Sequence, residues 1–455
     1  MNLFRTKSID DIAAHSNEST LRRTLSATDL IMLGVGATIG AGIFVLSGHA
    51  AALHAGPAVI LSFVLSGFAC ALAAYCYSEL ASMFPVAGSA YTYSYVAFGE
   101  VIAWIIGWAL VLELSFGASA VAIGWSGYLA SFLKESGIPL PDALTASANI
   151  PAMLIILAVT TILSLGIKLS SVVNLGIVIL KVAVILIFVA AGFFHVNFEN
   201  YTPFMPFGFN GVVTGAALVF FAYLGFDIVA TTAQETKNPQ KDMPVGILGS
   251  LGVCTILYLL VAAVLVGVIS YTELNVAAPI ATALDHINLS ILSPLIKIGA
   301  IAGLTTAMLG LLLGQVRIFY AMGRDGLLPG LAAKVSPKYG TPMIATWIVG
   351  IAVALLAGFA PMGKLAELVS IGTLFAFTVV CAGVLVLRYQ KPDLVRVFRA
   401  PFFPLLPIAG IGVNFYLMLG LPLITWQYFL AWAVIGLVIY FTYGRKHSAL
   451  NNRAV

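Results

Sequence analysis

The chain has 455 residues, of which 61% are hydrophobic and 9% charged, and its mean hydropathy is +1.04. No soluble domain of that length could hide so much apolar surface, so the composition excludes a soluble globular protein and implies an integral membrane protein. A net charge of +4 is weakly basic and carries no nucleic-acid footprint, and Cys70, Cys76, Cys254 and Cys381 lack metal-ligand spacing and read as buried inert thiols.

Residues 1–27 form a polar tail with charges of both signs, which argues against a cleaved signal peptide. With Asp10-Asp11 and Arg22-Arg23 the tail is predicted to be a cytoplasmic surface helix, and it names no protein partner. Apolar runs of spanning length then follow near 29–50, 56–83, 99–133, 150–167, 171–194, 210–234, 244–270, 291–323, 342–360, 365–387, 402–421 and 425–444, twelve in all. The runs at 99–133 and 291–323 exceed one bilayer thickness and predict long tilted helices with an end outside the lipid.

The first run contains Gly34-Val-Gly-Ala-Thr-Ile-Gly-Ala-Gly-Ile-Phe44. Non-helical backbone survives at membrane depth only where it lines a cavity, and glycine permits both unwinding and close approach of a ligand. An interrupted first helix therefore points to a transporter's substrate site. Gly36 and Gly40 also form a small-xxx-small pair, so close helix packing stays open as the other reading. The sixth run has its own soft spot, Ala222-Tyr-Leu-Gly-Phe-Asp227. Two broken segments five helices apart predict two repeats of opposite topology, because an odd helix number inverts the second copy.

Three charges lie inside apolar runs: Glu113 in the third, Lys181 in the fifth and Asp227 in the sixth. Each costs a few kcal/mol facing lipid and is expected to face the bundle interior, a partner or water. A buried carboxylate far from any cation can hold a proton near neutral pH, the ground for expecting proton handling. A buried ion pair between Lys181 and one of the acids is the structural alternative. Glu79 and Glu100 sit near segment ends and read as structural or gating; Arg317, Arg324 and Asp325 read as anchors or part of an inner gate.

Orientation follows from the basic residues. With the N-terminus inside, Arg5, Lys7, Arg22, Arg23, Lys168, Lys237, Lys241, Arg317, Arg324, Lys334, Lys338, Arg388, Lys391, Arg396, Arg399, Arg445, Lys446 and Arg453 are cytoplasmic. That is 18 of 22, against Lys134, Lys297 and Lys364 outside, so N-in and C-in is predicted for a multi-pass cell-membrane protein.

Gly124-Trp-Ser126-Gly127 fits the G-x-S-G pattern of intramembrane serine proteases, the remote alternative. Such chemistry needs a base within hydrogen-bond reach of the serine. His15, His49, His54, His195, His286 and His447 all lie in tails, loops or helix ends, so Ser126 reads as a packing residue and no enzyme is expected. Nothing resembles a selectivity filter or a charged ring, which argues against a channel.

The glycine motif of segment one looks like the first-helix motif of amino acid permeases of the APC superfamily. Gly88-Ser-Ala-Tyr91 after Pro85, Phe220-Phe-Ala-Tyr-Leu-Gly-Phe-Asp227 with Glu235 and Asn238-Pro239, and Arg317 with Arg324-Asp-Gly-Leu-Leu-Pro329 resemble further stretches of that family. Nearly the whole chain is covered, and the nearest resemblance is to bacterial relatives of cationic amino acid transporters.

The resemblance implies an all-α LeuT-like fold: a first inverted repeat over 28–194, a second over 209–388, two further helices over 400–444 and a cytoplasmic tail over 445–455. It implies that the unwound stretch Thr38, Ile39, Gly40, Ala41 and Gly42 receives the substrate α-carboxylate on backbone N–H groups. The α-amino group would meet carbonyls of helix one and of Phe221, Ala222 and Leu224, with Phe221 an aromatic gate or a packing residue. In sodium-coupled members of the wider superfamily an ion links helices one and eight; in members resembling this chain a helix-five lysine, here Lys181, takes that place. The resemblance thus implies no sodium and no cofactor, with the proton as coupling ion and Glu113 and Asp227 in proton handling. Relatives often carry Thr or Ser between the last two glycines where this chain has Ala41, which removes a hydroxyl contact there. Proton-coupled uptake and amino acid exchange share one scaffold and stay open, with uptake the first expectation. A carboxylate near the pocket would favour arginine or lysine, whereas a protonated or paired Glu113 would favour neutral substrates such as alanine, the expectation adopted.

Overall fold

The computed structural model describes residues 5–7, 23–86, 88–141, 144, 147–166, 171–289 and 291–451. The surface helix expected over Asp10-Asp11 lies outside the described residues. Within them the regular structure is helical, apart from one bridge between Leu25 and Thr236. The longer helices are α1 (Ala27–Thr38), α2 (Val59–Met83), α3 (Ser89–Ala97), α4 (Glu100–Glu135), α5 (Ile150–Ser164), α6 (Ser171–Phe193), α7 (Gly208–Val219), α8 (Pro239–Val268), α9 (Pro279–His286), α10 (Ser293–Arg324), α11 (Met343–Phe359), α12 (Met362–Gln390), α13 (Leu405–Leu419) and α14 (Leu423–Ile439).

Among the described residues, eight helical runs are long and apolar enough to cross a membrane, and four shorter apolar helices accompany them: α1, α5, α11 and α13. The architecture is that of a polytopic membrane protein. At 36 and 32 residues, α4 and α10 are the long helices foreseen. Their lengths of about 54 and about 48 Å exceed a hydrocarbon core of about 30 Å. The run Gly42–Met83 counts as one by length but is interrupted at Gly56, φ +62°, so its first part continues the segment that α1 begins.

Helix starts are set locally. Ser26 and Asp29 form a capping box at α1: the Ser26 N–H donates to Asp29 Oδ2 (2.9 Å) and the Asp29 N–H to Ser26 Oγ (3.4 Å). Asn149 caps α5, accepting from the Ala152 N–H at 3.2 Å, with Pro151 in the first turn.

Small residues then bring the helices together. A Cβ on Gly34 would stand 2.5 Å from Ser250 of α8, one on Gly36 2.9 Å from Val178 of α6, and one on Gly350 of α11 2.2 Å from Thr160 of α5. The segment Gly208–Glu235 is the buried centre, with 94% of its most apolar window inside the protein against 22% for Leu423–His447 at the periphery. That last segment is held to α4 by a tryptophan pair. Trp108 Nε1 donates to Trp432 O (2.8 Å) and Trp432 Nε1 to Trp108 O (2.9 Å), with the rings stacked at 4.6 Å.

Candidate functional site

The first segment breaks at Ile39 and Gly40. Ile39 is extended (ψ 99°), and helical geometry resumes at Ala41 and Gly42. The break is shorter than the five residues 38–42 that the sequence marks out. Gly42 is back in helical geometry, and its missing side chain lets the first and sixth segments touch: a Cβ there would meet Ala222 Cα at 2.2 Å. Gly40 has room, with Ala307 at 3.4 Å and Val121 at 3.9 Å from an added Cβ. The glycines divide: Gly34, Gly36 and Gly42 sit in close packing contacts, whereas Gly40, the other half of the small-xxx-small pair, lies at the break with room around it.

A helix that stops inside a protein leaves its last carbonyls without intrahelical donors. Two other helices supply them. Lys181 of α6 donates to Gly36 O, to Ile39 O (3.1 Å) and to Thr306 Oγ1 of α10 (3.3 Å). Tyr258 of α8 donates to Thr38 O at 2.9 Å. Lys181 is 0% exposed, and its hydrogen-bond partners among the described residues are carbonyls and a hydroxyl, with no carboxylate. The Lys181–acid ion pair is therefore replaced by a cation seated on the negative end of the broken helix.

The second break follows a short 3-10 turn, Phe220–Tyr223. Leu224 is extended (ψ 125°), Gly225 has φ +124°, and Phe226–Glu235 continues as 3-10 helix. Only glycine takes that φ without strain, and a Cβ at Gly225 would also lie 2.7 Å from the Ala37 carbonyl carbon. The two breaks thus lie against each other, Gly225 on Ala37 and Gly42 on Ala222. Phe221 O accepts from the Leu224 N–H (3.1 Å) and Ala222 O from the Tyr258 hydroxyl (2.8 Å). Phe221, Ala222 and Leu224 are buried. Asp227 accepts from the Gly225 N–H (3.3 Å), so it caps the resumed helix at its positive end.

Glu113 of α4 is 0% exposed, and neither of its oxygens accepts a hydrogen bond among the described residues. Thr373 stands beside it but donates to Val369 O (3.0 Å), and Asp227 is within reach of its charge. Tyr77, close to both acids, also has a buried hydroxyl without a partner among the described residues. The lining toward the breaks is apolar: a Cβ on Gly117, one turn along α4 from Glu113, would meet Leu224 at 2.8 Å and Leu311 at 3.6 Å.

Glu79, Glu100, Asp325 and Arg317 are tied into the scaffold, whereas Arg324 rests 6.0 Å from the Tyr320 ring. Glu79 accepts from Arg388 (2.9 and 2.5 Å) and from the Ala400 N–H (2.7 Å), a structural role. Glu100 accepts from Tyr440 (2.8 Å) and Ser448 (2.6 Å) and pairs with Arg5 (3.7 Å). Asp325 pairs with Lys7 (2.6 Å) and accepts from Tyr91 (2.5 Å), while Arg317 pairs with Glu235 (3.2 Å). Ser126 Oγ donates to the Asn149 side chain (2.7 Å), so the G-x-S-G serine steadies a helix cap and is not merely packed.

Two broken, touching segments whose free carbonyls are held by a buried lysine and a tyrosine make up the candidate site. The amino acid permease family matches residues 25–444. The chain belongs to this family. It is 50% identical over 458 residues to the methylthioribose transporter of Bacillus subtilis (strain 168), covering 99% of each chain. It is also 50% identical over 462 residues, again 99% of each, to the branched-chain amino acid permease BcaP of that organism. Cationic amino acid transporter 4, vacuolar, of Arabidopsis thaliana is 43% identical over 409 residues, 86% of this chain and 68% of the relative. The permease is a multi-pass protein of the cell membrane and a transporter, not an enzyme.

Tyr258 is the residue of the candidate site that sequence reading missed. It lies in an unremarked apolar run of the seventh segment. The available signal was that a tyrosine at membrane depth must find a partner for its hydroxyl.

Proposed function

We propose that this permease is a secondary active transporter that takes up amino acids by alternating access, driven by protons and independent of sodium. The observation that carries the proposal is the Lys181 ammonium on the Gly36 and Ile39 carbonyls and the Thr306 hydroxyl. A covalently attached cation joins the broken α1 to α10, the two elements between which sodium-coupled relatives are expected to hold their ion. Of residues 38–42, the substrate carboxylate binds at the N–H groups of Gly40, Ala41 and Gly42, because the Ile39 N–H stays on Val35 O (3.0 Å) and Thr38 lies within α1. The ammonium binds at carbonyls of Phe221, Ala222 and Leu224. Freed N–H groups attract anions and freed carbonyls hold cations, which matches a zwitterion end to end. Glu113, Asp227 and Lys181 handle the proton.

In this reading residues 28–194 and 209–388 are inverted repeats, 400–444 adds two helices, and twelve crossings place both tails inside. The mutual contact of the first and sixth segments supports it, as does the meeting of both chain ends at Glu100. The apolar surroundings of Gly40 and Gly117 favour neutral side chains. A branched-chain amino acid, named for one relative, has the two charged ends that the breaks would hold; methylthioribose, named for another, has none.

Replacing sodium by choline on both sides of proteoliposomes is expected to leave labelled alanine and valine uptake unchanged. A requirement for sodium would contradict the role given to Lys181.

A further inference from the structure

We propose that Tyr258 is a positioning residue of the transport site, whose one hydroxyl proton is shared between the main-chain carbonyls of Thr38 and Ala222. It sets the two broken segments against each other and lets occupancy of one be felt by the other. The proposal deepens the amino acid transport reading and rests on it.

The geometry is specific. The hydroxyl oxygen lies 2.9 Å from Thr38 O and 2.8 Å from Ala222 O, so both carbonyls are within full hydrogen-bond distance. A phenol has a single hydrogen, so it donates fully to one of them at a time. The ring is fixed by Phe63 and Tyr223, with centroids at 5.7 and 5.3 Å, and is completely buried, which holds the hydroxyl at the two carbonyls. On the same residue as one acceptor, the Thr38 hydroxyl is buried and without a partner among the described residues.

A buried carbonyl left without a donor costs free energy. In the empty site the phenol serves two such carbonyls with one proton. An ammonium bound at Ala222 O supplies that carbonyl from the substrate, and the phenol proton goes wholly to Thr38 O. Substrate on the sixth segment thereby strengthens the hold of α8 on the end of α1. Lys181 grips the same helix end from α6 but reaches no carbonyl of the sixth segment among the described residues, so Tyr258 links the two breaks in a way Lys181 does not.

The test is thermal unfolding of the purified permease titrated with L-alanine and L-valine. Tyr258→Phe keeps the ring and removes the proton. It is expected to melt below the wild type without ligand, and to need an amino acid concentration raised at least about tenfold for half-maximal stabilisation. Tyr201→Phe removes a comparable hydroxyl, which donates to Ala263 O of the same α8 at 2.8 Å, and is expected to keep the wild-type titration. A wild-type titration in Tyr258→Phe overturns the proposal, and so does an equal weakening in Tyr201→Phe. Should Tyr258→Phe not yield folded protein, difluorotyrosine at position 258 keeps the shape and sharpens the donor. The half-saturating concentration must then move by about threefold or more, and no change overturns the proposal. A wild type that neither amino acid stabilises overturns the transport reading itself, and this proposal with it.

Discussion

At the scale of single residues, Lys181 decides most. An ammonium at membrane depth costs a few kcal/mol unless it is partnered, and here two main-chain carbonyls and a threonine hydroxyl are its partners. Removing it leaves those carbonyls buried and unsatisfied while sparing the other groups of the binding site. Lys181→Ala is therefore expected to lower proton-driven alanine uptake by about a hundredfold while binding weakens by about tenfold or less. Uptake assays paired with calorimetry check this, and wild-type accumulation by the variant contradicts the role. Lys181, Glu113 and Asp227 were legible in the sequence because a charge in an apolar run is conspicuous. Their partners were not. The sequence left a Lys181–acid pair open, and whether Lys181 met an acid or a carbonyl depended on how α6 lies across the end of α1. Tyr258 was hidden for the opposite reason, as one aromatic residue among 17 tyrosines and 28 phenylalanines.

At the scale of elements, the two breaks are one construction. Glycines in the first and sixth runs marked where helices could stop, but not for how many residues. In the packed protein Gly42 is back in helical geometry and lies on Ala222, and Gly225 takes φ +124° against Ala37. The 3-10 geometry of Phe226–Glu235 and the short helices α3 and α9 had no periodicity to announce them. Gly225→Ala forces a side chain into a φ it resists and into the Ala37 carbonyl carbon. It is expected to cost about 1–3 kcal/mol and to lower the melting temperature, as scanning calorimetry would show. A variant as stable as the wild type contradicts the contact between the breaks.

At the scale of the whole molecule, both chain ends meet on one carboxylate. Arg5 and Ser448 reach Glu100 at the start of α4, while Lys7 reaches Asp325 just beyond α10. The two long helices that flank the breaks are thus tied together by the tails at one end. At their other ends, Lys297 of α10 pairs with Glu135 of α4. A site enclosed between helices fastened at both ends requires these contacts to yield in turn for alternating access. The basic residues predicted the common side of the tails, since charge asymmetry survives in sequence. The pairing of Arg5 with Glu100, nearly a hundred residues away, did not, because it is a product of the assembled bundle. What drives the cycle is the central claim. The most direct measurement is labelled alanine uptake into empty, sodium-free proteoliposomes, with and without an inward proton gradient. Accumulation above equilibrium only with the gradient is the expected result; uptake that ignores the gradient and needs amino acid preloaded inside would contradict proton coupling and mark an exchanger.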